Sequence, residues 1–89
     1  MQNVRTIGRF TTAGQPDEAD FARLASDGIA LVINVRDPED VVPDEQLWAA
    51  RAGIAYATSF VDSENPTVEQ VRAVRRLLPP GNAAKVLIH

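Results

Sequence analysis

Four polar segments interrupt the apolar stretches of this chain, each at the point where an apolar stretch stops. They are Ala13-Gly14-Gln15, Arg36-Asp37, Asp62-Ser63-Glu64 and His89, the only histidine. An arginine holds anions, carboxylates donate or accept protons, and a histidine does so near neutral pH. Gathered in one cleft, these side chains would suit several chemistries on a charged substrate. Whether they gather depends on the elements that carry them.

The first half of the chain predicts two strands with a helix between them. A short strand at residues 9–13 is closed by a turn at Gly14. A helix then begins at Pro16, because proline and nearby acids suit a helix start. Helical spacing of apolar residues continues to Gly28, which ends the run. The nearly all-apolar segment IALVINV (29–35) is typical of a strand covered on both faces.

The second half continues the alternation of helix and strand. A short helix is predicted at residues 44–52. A strand follows at 54–61, where bulky and small side chains alternate. After the third helix, KVLIH (85–89) is the last strand.

The third helix has two candidate starts. Thr67 and Gln70 fit a capping box, or else Asn65 caps a helix with Pro66 at its first position. Two prolines and a glycine at 79–81 stop it. One apolar side is predicted for this helix, made by Val68, Val71, Val74, Leu77 and Leu78.

The order β-α-β-α-β-α-β predicts an α/β fold with three layers, in which helices flank a largely parallel sheet. In such sheets, sites form beyond the carboxyl ends of the strands. Gln15, Arg36, Asp62, Glu64 and His89 all follow strand ends. The topology therefore predicts that they arrive at one edge.

Length, composition and charge limit the classes of function. Eighty-nine residues allow one small domain, and 45% hydrophobic with 24% charged residues are ordinary for a globular protein. A net charge of −3 argues against nucleic acid or an anionic membrane as main partner. No stretch approaches the roughly 18 apolar residues of a membrane span and no signal segment is present, so we expect a cytoplasmic location. No cofactor and no metal site is predicted, and zero cysteines exclude thiol chemistry by this chain itself.

The segment after a buried parallel strand usually leads through a loop into a helix. Loop amides and a helix N-terminus together make an anion site. A cysteine placed there would have a stabilised thiolate, with a pKa of roughly 3.5–7.5 instead of about 8.5. His89 stands at such a position.

The segment TTAGQPDEADFARLASDGIALVINVRDPED resembles the opening of a bacterial family of dual-specificity-phosphatase-like domains, some fused to metallo-β-lactamase-type hydrolases. That family has a turn of the SGQP type, a helix ending in glycine, a hydrophobic strand, then N-x-R and an acid. Matching positions here are Ala13-Gly14-Gln15-Pro16, Gly28, Val32-Ile33-Asn34-Val35-Arg36 and Glu39. In the family the last strand runs V-L-x-H into C-x5-R, the phosphate-binding loop of cysteine-dependent phosphatases.

The resemblance therefore implies an incomplete phosphatase domain at 1–89, with the nucleophile and its loop expected directly after His89 on a central last strand. The fragment alone should be inactive. Asp62, 27 positions before His89, is the implied general acid, and Glu64 is the alternative. His89 would orient the loop and tune the thiolate, while Arg36 and Gln15 would bind substrate. The substrate would be a phosphorylated protein or a small phosphate ester.

Other interpretations stay open at this point. A rhodanese-like sulfurtransferase also brings a buried strand to a cysteine loop, usually a shorter one, and a non-catalytic binding module would lack the cysteine. Acids such as Asp62 and Glu64 are common before helices because they suit the helix dipole. Arg36 could instead pair with Asp37, Glu39 or Asp40 at the surface.

Overall fold

The computed structural model describes residues 1–81 and 83–89. Its strands are β1 (Arg5–Ile7), β2 (Phe10–Thr12), β3 (Ile29–Asn34), β4 (Ala55–Thr58) and β5 (Lys85–Ile88). Its α-helices are α1 (Glu18–Ser26), α2 (Glu45–Ala52) and α3 (Val68–Leu77), and a short 3-10 helix lies at Pro38–Asp40.

The five strands form one sheet in the order β1-β2-β5-β3-β4. β2, β5, β3 and β4 run parallel to one another, and β1 pairs antiparallel with β2 at the edge. The predicted α/β class with a largely parallel sheet is therefore confirmed, and the last strand is central. β1 was not predicted, because its three residues are all exposed and carry no apolar pattern.

Helices cover both faces of the sheet, which gives the three predicted layers. Alternate residues of the two central strands point to opposite faces, so Val32 and Leu87 pack with α1 and α2. Leu31, Ile33 and Val86 form the core of the other face, under α3. On the first face Phe21 of α1 meets the ring of Trp48 of α2, with 6.3 Å between ring centroids.

The helix starts follow the capping residues more closely than the prolines. α1 begins after Asp17, which forms a capping box with Asp20, so the predicted start at Pro16 is two residues early. α3 begins after Thr67, whose capping box with Gln70 is the first of the two predicted starts. Side-chain caps satisfy orphan backbone N–H groups, which a preceding proline cannot do.

The apolar side predicted for α3 is narrower than expected. Val74 and Leu78 pack against the sheet, whereas Val68, Val71 and Leu77 are exposed. Residues spaced three apart drift by about 60° per step around a helix of 3.6 residues per turn. Val68 and Leu77, nine positions apart, therefore lie on opposite sides and cannot both face the sheet.

Candidate active site

Backbone hydrogen bonds hold three strand ends side by side. The N–H of Val35 donates to the carbonyl of His89 at 2.8 Å, and the N–H of His89 donates to Ile33 at 3.1 Å. The N–H of Val61 donates to the carbonyl of Val35 at 2.9 Å, so the chain after β4 still runs beside the chain after β3. The segments that carry Arg36, Asp62 and His89 are thereby fixed next to one another.

A polar crevice of about 550 Å³ opens where these segments meet. Its walls are formed by Val35, Arg36, Asp37, Asp40, Phe60, Val61, Asp62, Ser63, Glu64 and His89. Four of the five predicted site residues, Arg36, Asp62, Glu64 and His89, thus come together as the topology predicted. Gln15 does not line this crevice, and its side chain contacts the site only through Glu45.

Asp62 is built into the loop that follows β4. Its Oδ1 accepts from the backbone N–H groups of Glu64 and Asn65, at 3.0 and 3.2 Å. Its own N–H donates to Oε1 of Gln70 at 3.1 Å, the same oxygen that caps α3 through Thr67. The loop and the start of α3 are therefore one hydrogen-bonded unit, which fixes where the Asp62 carboxylate stands. Glu64 is exposed on the same loop.

Arg36 is positioned through its neighbour Asn34, which is fully buried. Oδ1 of Asn34 accepts from the backbone N–H of Arg36 at 3.0 Å, and its Nδ2 donates to the Tyr56 hydroxyl at 3.1 Å. The expected alternative, an ion pair of Arg36 with a neighbouring acid, is absent from the ion pairs of residues 1–81 and 83–89. The guanidinium is thus available to an anion in the crevice.

His89 turns its ring away from solvent and onto α2. Its Nε2 lies 2.7 Å from Oε2 of Glu45, and both side chains are completely buried. Oε1 of Glu45 accepts from Nε2 of Gln15, which also donates to the carbonyl of Pro16 at 2.8 Å. A glutamate at the start of α2 therefore joins the segment after β2 to the end of β5.

Two opposing effects act on the pKa of Glu45. Burial raises it, but the hydrogen bonds from His89 and Gln15, together with the influence of the Tyr56 hydroxyl, outweigh burial and hold the pKa below its usual value. The pKa of Tyr56 is raised to about 12, first by burial and then by the neighbouring Glu45. Near neutral pH the cluster therefore contains a carboxylate and an un-ionised phenol.

The lowered pKa of Glu45 predicts a loss of stability in acid. A carboxyl whose folded pKa lies below the unfolded value of about 4.3 stabilises the fold above that value, and the stabilisation disappears as pH falls through the folded pKa. We expect Glu45→Gln to reduce the difference in unfolding free energy between pH 7 and pH 3.5, measured by urea denaturation. Some loss of stability in acid should remain in the variant, because the pKa of Asp20 is also lowered, by the hydrogen bond from the Asp17 backbone and by the chain amine. Glu69→Gln, at an exposed position, is the control; an undiminished difference in Glu45→Gln would contradict the assignment.

Glu45, Asn34 and Tyr56 are the members of this site that sequence reasoning missed as functional candidates. A sequence signal for Glu45 exists. Glu45, Trp48, Ala49 and Ala52 stand at i, i+3, i+4 and i+7, so the acid occupies the apolar side of α2. An acid in the first turn of a helix is ordinary, and this hides its position on the buried side.

Two kinds of feature are absent from residues 1–81 and 83–89. No helix there is long and apolar enough to cross a membrane. No three or more histidine, cysteine, aspartate or glutamate side chains are grouped there so that they could hold a metal ion.

Sequence comparison finds a relative but no matching family profile. Over 76 residues the chain is 36% identical to a β-lactamase hydrolase-like protein of Agrobacterium fabrum. The match covers 79% of this chain and 17% of that protein. This agrees with the resemblance to domains that occur together with hydrolases of the β-lactamase type.

Solved structures match this chain over almost its whole length. A candidate phosphatase of the DUF442 group from Shewanella putrefaciens CN-32 superposes with a TM-score of 0.85 at 30% identity, over 99% of this chain and 58% of that one. The catalytic core of the PP-IP phosphatase Siw14 from S. cerevisiae superposes with a TM-score of 0.77 over 99% of this chain and 55% of that one, at 19% identity. The chain thus spans less than two thirds of either protein. It has the phosphatase-like α/β fold that these structures share.

Proposed function

We propose that the protein containing this chain hydrolyses phosphate monoesters with a cysteine nucleophile. The nucleophile and its C-x5-R loop are proposed to follow His89 directly. The observation that carries the proposal is the position of His89, at the carboxyl end of the central strand and on the wall of the crevice that holds Arg36 and Asp62. A loop that starts there enters the crevice at once.

The proposed reaction has two steps. The thiolate attacks phosphorus, an S–P bond forms, and the ester P–O bond breaks as Asp62 gives its proton to the leaving oxygen. Water then attacks the phosphocysteine while the Asp62 carboxylate takes a proton from it, which restores the acid; the S–P bond breaks, the thiolate is restored and phosphate leaves. Loop amides and the loop arginine stabilise the phosphoryl oxygens. Glu64 is the alternative proton donor.

Arg36 would guide the substrate anion into the crevice. Gln15 would support substrate binding without touching the substrate, because it holds Glu45, which in turn contacts His89. The lining contributed by this chain contains one arginine and four acidic side chains, namely Asp37, Asp40, Asp62 and Glu64. With Asp62 protonated as the general acid, the other three acids disfavour a substrate that carries several phosphates, because each added phosphate meets a like charge. A phosphorylated protein or a small monoester suits it better.

The test uses the full-length protein and an aryl phosphate. We expect turnover that disappears when the residue after His89 is changed to serine, since serine at that place lacks a stabilised anionic nucleophile. Iodoacetate should inactivate the enzyme, and inorganic phosphate should protect it by occupying the site. The 89-residue chain, which has no cysteine, should show no turnover. Turnover that survives the serine substitution, or activity of the 89-residue chain, would refute the mechanism.

A further inference from the structure

The buried pair of His89 and Glu45 has a chemical consequence for the histidine ring. Both side chains are fully enclosed, and 2.7 Å separates Nε2 from Oε2. The Glu45 carboxyl is ionised near neutral pH, because the pKa is held down by its hydrogen bonds. An ionised carboxylate has only acceptors, so the contact requires a proton on Nε2.

The other ring nitrogen of His89 is free of such a partner. Nδ1 is buried and makes no hydrogen bond within residues 1–81 and 83–89. With the proton on Nε2 fixed, Nδ1 accepts a hydrogen bond when the ring is neutral and donates one when the ring is cationic. The opposite tautomer would place the Nε2 lone pair against the carboxylate, which is repulsive at this distance.

The carboxylate is itself held firmly. Gln15 donates to its second oxygen from the segment after β2, and the Tyr56 hydroxyl of β4 stabilises its charge. Tyr56 is in turn fixed by the buried Asn34 of β3. Three strands and one helix thus determine where the acceptor for His89 stands, so the ring has one orientation.

We infer that Glu45 is a positioning residue, which holds the His89 ring with Nε2–H against its carboxylate and presents Nδ1 for hydrogen bonding at the carboxyl end of β5. This inference rests on the proposed function for its kinetic consequence only. In the proposed enzyme, Nδ1 forms a hydrogen bond with the backbone of the phosphate-binding loop and so orients that loop. Glu45 does not touch substrate; it acts through the histidine.

The first test is spectroscopic and needs no activity. Two-bond ¹H–¹⁵N spectra of the ¹⁵N-histidine-labelled chain at pH 7.5 distinguish the tautomers, and His89 is the only histidine. We expect Nε2 to carry a proton in the wild type and a mixture that includes the Nδ1–H tautomer in Glu45→Gln, since the amide introduced by that substitution offers either a donor or an acceptor. Glu69→Gln, exposed on α3, should leave the spectrum unchanged. A wild-type spectrum of the Nδ1–H tautomer would overturn the inference even if Glu45→Gln failed to fold.

The second test uses the full-length protein. Carboxylates that orient metal-ligating histidines typically contribute about 10–100-fold to metal affinity or activity. By the same orienting effect Glu45→Gln should lower kcat/KM by about that factor, while Glu69→Gln has no effect. If the tautomers behave as expected but the protein hydrolyses no phosphate ester, the proposed function fails and the positioning role stands. If the protein is an active phosphatase but Glu45→Gln changes neither the tautomer nor kcat/KM, the positioning role fails and the proposed function stands.

Discussion

Changing Asp62 to asparagine in the full-length protein should slow hydrolysis of phosphotyrosine by about 10²–10⁴-fold, the usual contribution of a positioned general acid. The phenolate of tyrosine is a poor leaving group and needs a proton as the P–O bond breaks. An activated aryl phosphate departs without one, so its hydrolysis should lose much less. The measurement is kcat/KM of the wild type and the variant for both substrates. A larger loss for phosphotyrosine than for the activated aryl phosphate identifies proton donation, whereas equal losses would indicate a general defect.

The structure makes this substitution conservative. Oδ1 of Asp62 organises the loop by accepting from the N–H groups of Glu64 and Asn65. Asparagine keeps a carbonyl oxygen for these bonds, but its amide has no acidic proton to transfer to the leaving oxygen. The loop and its anchor to Gln70 should therefore survive, and the alkaline limb of the pH–rate profile should flatten.

Glu64→Gln is the matched control, because Glu64 lies in the same loop and lines the same crevice. It should change neither substrate's rate by more than a small factor. If Glu64→Gln gives the leaving-group-dependent loss and Asp62→Asn does not, the two roles are exchanged. If neither gives it, the acid lies outside this loop and the interpretation of the crevice is wrong.

Most of the fold could be predicted because local signals agreed with the global topology. The apolar segment 29–35 has the composition of a buried parallel strand, and it became β3 (Ile29–Asn34). The capping residues of α3 stand in sequence next to the helix they start. β1 could not be predicted, since its pairing with β2 depends on backbone hydrogen bonds and not on a buried pattern.

The candidate site divides in the same way. Arg36, Asp62 and His89 were predictable because a parallel sheet places the carboxyl ends of its strands at one edge. Glu45 was not, because its partner His89 is 44 positions away and its own surroundings in sequence are those of an ordinary helix start. Contacts between elements that are distant in sequence depend on how the layers pack. Four of the site's residues thus follow from topology, and the buried support beneath them follows from packing.

The buried contact between Glu45 and His89 should contribute strongly to the stability of the fold. Removing a buried acceptor leaves its donors unpaired in a dry site, at a typical cost of about 1–3 kcal/mol for each donor. Glu45→Ala, which leaves His89 and Gln15 without their acceptor, should therefore lower the unfolding free energy by about 2–6 kcal/mol. This is a large part of the roughly 5–15 kcal/mol available to a typical domain, so urea unfolding should be measured in a stabilising osmolyte.

A double-mutant cycle separates the pair from its parts. His89→Ala should also be costly, since it leaves the Glu45 carboxylate with Gln15 and Tyr56 alone. The double variant removes both members, so it should cost less than the sum of the single changes, with a coupling of about 1.5–3 kcal/mol as for hydrogen bonds to charged groups. The control is a pair of changes that should not interact. Val86→Ala lies on the opposite face of the sheet, so its cost in unfolding free energy should add to that of Glu45→Ala within about 0.5 kcal/mol. Additive costs for Glu45→Ala and His89→Ala would mean that the 2.7 Å contact contributes no net stability, and that the glutamate is held there by Gln15 and Tyr56 instead.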